Sequence, residues 1–89
     1  MSMPFGGHPT FVQYIAWAIS QGCRVQSGIA QTPDGKVEKL TKIDAPNGKW
    51  VTAVGIDQRD FLVPTMIAWL DRRLGMKSPF FSIDPGPEN

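Results

Sequence analysis

Few side chains in this sequence could act chemically on a substrate, and their spacing limits what they could do. The titratable candidates are one histidine, His8, one cysteine, Cys23, and two acids close in sequence, Asp57 and Asp60. His8 stands in MSMPFGGHP, a stretch with two prolines, two glycines and no periodicity. A lone imidazole in such an arm is expected to be solvated. Cys23 follows the end of a predicted helix, whose partial negative charge opposes a thiolate, so a packed and inert thiol is expected. Asp57 and Asp60 would need burial and split pKa values to work as paired acids. They read more simply as the bounds of a loop before a second helix, with Asp60 placed to help start it. One histidine and one cysteine do not make a zinc site of the usual kind. No Gly-rich phosphate loop followed by Lys and Ser or Thr is present. The sequence therefore assigns no catalytic residue, no cofactor and no metal.

Two binding clusters remain. Lys36, Lys39, Lys42 and Lys49 lie on a predicted hairpin, with Arg24 on the strand before it. Glu38 and Asp44 interleave with them, and nine Lys and Arg against eight Asp and Glu leave a net charge of +1. That balance argues against a strongly basic nucleic-acid binder and makes weak RNA binding the lesser reading. The second cluster is Phe80, Phe81 and Ile83, apolar residues in an otherwise Pro-rich tail. They either pack within the monomer, over the side of the sheet that the two helices leave bare, or dock on a partner protein or a second copy.

The elements that must position these residues are legible from period and punctuation. Thr10 and Gln13 form a capping box opening a helix, with Phe11, Tyr14, Ile15, Ala18 and Ile19 on its apolar stripe, Trp17 on a half-buried rim, and Gly22 as its stop. Cys23, Val25, Ser27 and Ile29 then alternate as a half-buried strand. Thr32-Pro33-Asp34-Gly35 is a tight turn. Asn47-Gly48 folds the next stretch, Gly35 to Ile56, into a hairpin. A two-residue turn there pairs Ile43 with Thr52 and puts Val37, Ile43, Trp50, Val54 and Ile56 on one face. A three-residue turn including Pro46 pairs Ile43 with Val51 and sends Trp50 and Leu40 to the other face. The first separates apolar from polar better and is preferred, although Pro46 cannot donate to the closing bonds. Pro64 opens a second helix with Met66, Ile67, Leu70 and Leu74 inward and Asp71, Arg72 and Arg73 toward water; Gly75 ends it, and Met76 folds back onto Leu70. The fold class is therefore α+β: an αβββα chain with a three-stranded antiparallel meander and both helices on one face. Residues 1–9 are an N-terminal arm, 10–76 the domain and 77–89 the tail.

This order is that of the double-stranded-RNA-binding domain, and several segments resemble the small HicA-type toxins, messenger-RNA-cleaving partners of HicB antitoxins. Gly22-Cys23-Arg24-Val25 matches the passage from first helix to sheet. Pro46-Asn47-Gly48-Lys49 followed by Trp50-Val51-Thr52-Ala53-Val54 resembles the family's Pro-Asp-Gly-Arg turn and Val-rich third strand. Leu62 to Gly75 resembles its closing helix. The resemblance implies RNA cleavage by a histidine that follows Gly-Ser on the second strand. No Gly-Ser-His occurs here, and the equivalent position falls near Leu40 or Thr41, so cleavage is not expected to carry over. Nor does Leu62-Val63-Pro64-Thr65 supply the lysines with which double-stranded-RNA-binding domains grip phosphates.

The expectation is a small non-catalytic binding module acting through an open sheet face and the Phe80-Phe81 segment. Weak RNA binding is the alternative and a ribonuclease the least favoured. With one cysteine, no apolar run near the roughly 20 residues of a membrane helix and no secretion-signal pattern, the expected address is cytoplasmic.

Overall fold

The computed structural model describes residues 8–80. The order is α1 (Phe11–Ser20), β1 (Arg24–Gln31), β2 (Val37–Asp44), β3 (Trp50–Val54) and α2 (Pro64–Leu74). The strands form one antiparallel sheet in the order β1-β2-β3. Both helices bury their stripes against one side of it. Phe11, Tyr14 and Ala18 of α1 meet Ile43, Val51 and Ala53 of the sheet and Ile67, Leu70 and Leu74 of α2 in a single core. No helix among the described residues is long and apolar enough to cross a membrane.

The helix ends follow the sequence signals. Thr10 Oγ1 accepts from the Gln13 amide at 3.3 Å while Gln13 Oε1 accepts from the Thr10 amide at 2.8 Å. The next free donors of α1 are taken by the 57–62 loop: Phe11 N–H donates to the Asp60 carbonyl and Val12 N–H to the Gln58 carbonyl. Asp60 therefore closes the start of α1. It does not start α2, whose cap residue Val63 offers no side-chain bond. At the other end, Gly22 N–H returns to the Ile19 carbonyl and Cys23 N–H to that of Ala18, a Schellman closure. Met76 and Gly75 close α2 the same way on Asp71 and Arg72.

The hairpin register differs from the preferred expectation. Ile43 pairs with Val51 and Asp44 with Trp50, so Pro46 belongs to a three-residue loop. Gly48 N–H donates to the Ala45 carbonyl and Ala45 N–H to that of Lys49. Pro46 then sits where its fixed φ is favoured and its missing donor is not needed, while Gly48, at φ +92°, takes the left-handed position. The β1–β2 connection repeats the arrangement: Gly35 N–H to the Thr32 carbonyl, Thr32 N–H to the Lys36 carbonyl, and Gly35 at φ +90°. As a result Trp50, Val54 and Leu40 lie opposite Ile43, on the uncovered face.

Three further expectations are corrected. Ile19 is exposed, because at helical spacing it falls to one side of the stripe formed by Phe11, Tyr14, Ile15 and Ala18. Val37 shares Ile43's face but is 63% exposed, since the far ends of β1 and β2 extend beyond the helices. Asp71, expected in water, is buried.

The β2–β3 turn is also fastened to α2. Asn47 Nδ2 donates to the Leu74 carbonyl at 2.9 Å, and Asn47 Oδ1 accepts from the Lys49 amide. The Lys49 stem passes over Gly75, whose φ is +65°. Asn47→Ala is expected to lower unfolding free energy by about 1 kcal/mol, and Gly75→Ala by roughly 1–2 kcal/mol. Urea denaturation of both variants measures these losses.

Candidate interaction surface

The chemistry-bearing residues are dispersed. His8 is exposed. Cys23 is buried at the end of α1 with its Sγ 3.6 Å from Met76 Sδ; burial pushes the thiol pKa up and the Asp44 carboxylate adds to the rise. Both effects favour the protonated thiol over the thiolate. Asp57 accepts from Lys39 Nζ and from the Arg59 amide, which together hold its carboxyl below the usual range. Asp60 Oδ2 accepts from the Asp57 amide, so the two acids are fastened in a surface loop. Among the described residues no three His, Cys, Asp or Glu side chains gather as a metal site would require. Leu40 is half-buried on the open face and Thr41 is buried, so nothing titratable stands where the resemblance would place a histidine.

The basic residues do not form one patch. Arg24 and Lys42 share the open face, diagonal to each other across β1 and β2. Lys39 lies on the opposite face, bonded to Asp57. Lys36 closes the β1–β2 turn, and Lys49 sits at the other end of the sheet beside the last turn of α2. There it complements the helix's negative end.

Phe80 lies on the helix side. Its ring centroid is 6.0 Å from that of Tyr14 and 6.4 Å from that of Trp17. The expectation that it covers the bare sheet face is thereby corrected for Phe80; Phe81 and Ile83 fall outside the described residues. What holds this segment down is a buried polar group that sequence reading missed. Asp71 Oδ1 accepts from Tyr14 Oη at 2.6 Å, and its Oδ2 accepts from both the amide and hydroxyl of Ser78 at 3.0 Å.

The uncovered sheet face is what remains. Across it run Arg24–Asp44–Trp50, then Gln26–Lys42–Thr52, then Gly28–Leu40–Val54. Trp50 is 49% exposed and Val54 47%. Lys42 Nζ lies 5.1 Å from the Trp50 ring centroid and 3.7 Å from Asp44 Oδ1. With Glu38 at the far end, two cations on this face stand beside two carboxylates. An apolar recess of about 290 Å³ lies at the start of α2, lined by Val63, Thr65, Met66 and Trp69. No sequence signal separated Trp69 from an ordinary half-buried aromatic.

Comparisons with family models, with curated proteins and with solved structures find no match for the chain.

Burial, followed by the bond to Asp71, raises the Tyr14 phenol pKa far above its ordinary value of 10.0. The folded state thus keeps its proton where the unfolded state loses it. Stability from this group is complete below about pH 10 and declines as pH rises further. Tyr14 is the chain's one tyrosine, so tyrosinate absorbance reads it alone and is expected to appear only as the protein unfolds. Tyr14→Phe should abolish that alkaline dependence and cost about 1–3 kcal/mol at neutral pH by leaving Asp71 short of a donor.

Proposed function

We propose that this chain is a non-catalytic binding module that acts in the cytoplasm and docks a partner protein on its open sheet face. The observation that carries the reading is the exposure of Trp50 and Val54 there, with Leu40 beside them, in a setting where charges are matched. An exposed Trp next to aliphatic side chains is the kind of anchor protein interfaces are built around. Arg24, Lys42, Asp44 and Glu38 supply a mixed-charge rim, which favours a partner with an apolar stripe flanked by both signs of charge. The scattering of Lys36, Lys39 and Lys49 away from this face removes the continuous positive track that polyanion binding draws on.

A second reading rests on one contact. Lys42 over the Trp50 ring, with Arg24 nearby, offers a cation and a stacking surface of the sort that holds unpaired bases. This is the RNA-binding alternative in its narrowest form, and it keeps the resemblance to HicA-type toxins without the cleavage chemistry that their histidine provides.

Paired baits separate the two. The wild-type chain and the variants Trp50→Ser and Val54→Lys would be immobilised and challenged with cell extract and, separately, with labelled single-stranded RNA across a salt series. The proposal expects a protein retained by wild type, lost by both variants, and held nearly unchanged as salt rises. Retention that is the same for all three baits overturns it. RNA retention that falls steeply with salt and disappears in Trp50→Ser would establish the second reading in its place.

A further inference from the structure

We infer that the outer edge of β1 is a self-association site, pairing antiparallel with β1 of a second copy about a twofold axis at Gly28. Thr32 N–H bonds the Lys36 carbonyl, and in an antiparallel ladder the direction of the backbone groups alternates. Residues 24, 26, 28 and 30 therefore turn their amides and carbonyls toward β2. Val25, Ser27, Ile29 and Gln31 turn theirs outward, and among the described residues no hydrogen bond occupies them. A row of unpaired donors and acceptors of this length is a template for another strand.

The sequence of the edge points to a second copy as that strand. A twofold pairing sets each residue against its mirror position in the same stretch, so like charges at the axis or at mirror positions would repel. Val25 to Gln31 contains none. Pairing centred on Gly28 uses the whole strand: Val25 meets Gln31 of the second copy and Ser27 meets Ile29, for about eight backbone hydrogen bonds between the chains. The ends are complementary. Arg24, which has no ion-pair partner among the described residues, comes opposite Thr32 of the second copy. That hydroxyl is bonded to the Asp34 carboxylate, and the Thr32 bond is the chief reason Asp34 ionises more readily than usual. Each arginine thus meets a carboxylate of the other chain.

A third observation lies on the helix side of the same edge. Ile29 is 73% exposed and borders a groove of about 580 Å³ lined by Ser27, Lys39, Thr41, Ile56 and Arg59. In the paired arrangement, Ile29 of each copy stands beside Ser27 of the other, at the mouth of that groove. The most exposed aliphatic side chain of the sheet is then partly shielded from water on both sides of the axis. This site is distinct from the open face and does not depend on what that face binds.

Sedimentation of the full chain over a dilution series tests the inference, with amide exchange on the same samples. The expected mass is twice 9.8 kDa, falling to the single-chain value on dilution. Ser27 and Ile29 amides should be protected only where the dimer is populated, whereas Gln26 and Gly28 should be protected at every concentration. Ile29→Lys, a charge placed against the edge, should abolish the dimer while leaving the circular dichroism of the fold unchanged, and Val54→Lys should keep it. A single-chain mass at every concentration overturns the inference. So does a dimer in which Ser27 and Ile29 exchange as fast as in the monomer, or one that survives Ile29→Lys.

Discussion

A carboxylate buried between two helices is the constraint on which the remaining architecture depends. Desolvating Asp71 is costly, and the cost is met only when its oxygens are filled by good donors. Tyr14 fills one from α1; the Ser78 amide and hydroxyl fill the other from the segment after α2. The first helix, α2 far from it in sequence, and the segment that follows α2 are thereby fixed relative to one another at one point. Apolar stripes alone would hold both helices to the sheet but allow sliding, because hydrophobic contact has little direction. A satisfied network of short hydrogen bonds has direction. It also explains where Phe80 goes: once Ser78 is anchored, its neighbour two residues on falls against Tyr14 and Trp17.

With both helices and the following segment on one side, the other side of the sheet is left to solvent, and the turn chemistry decides what appears there. The two hairpin loops share one pattern, Pro-Asp-Gly-Lys and Pro-Asn-Gly-Lys, and they adopt the same three-residue geometry. A shift of one residue in β3 would have exchanged its faces. Val51 and Ala53 would have gone outward, and Trp50 would have been pressed toward the core. The loop at Pro46 thus selects which aromatic the surface carries.

That comparison of loops was available in the sequence. Asn47-Gly48 matches the signal for a two-residue turn, and the better apolar separation argued for it. Pro46 carried the contrary information, because a proline donates nothing and fits the first corner of the longer loop. The helix ends were legible for the opposite reason: Thr10 with Gln13, Gly22, Pro64 and Gly75 each satisfy or punctuate the backbone locally, without help from distant parts of the chain. Asp71 was not legible, because a carboxylate beside two arginines on an amphipathic helix has an ordinary exposed reading. Its partners, Tyr14 and Ser78, become neighbours only after folding. Val37 and Ile29 have the right alternation for a buried face, but period says nothing about how far along a strand the helices reach. The candidate surface shared that limit: an open face followed from the element order, whereas Trp50, Val54 and Leu40 on it followed only from the register.

The remaining exposed parts of the sheet are its two edges, which the chain treats differently. β3 is five residues long, and the turn leading into it is bound to the end of α2 through Asn47. β1 is eight residues long, carries its only charge at one end, and holds a glycine at the position where a twofold neighbour would approach closest. Proteins that must keep an edge unpaired usually shorten it, charge it or bend it with a proline or bulge. β1 has no proline, pairs with β2 residue for residue without a bulge, and has no charge between Val25 and Gln31. A chain whose lysines are spread over β2, both turns and the helix-proximal loop had charge to spare for that edge. Its absence there, opposite an uncapped row of amides and carbonyls, fits an edge kept open for pairing better than one guarded against it.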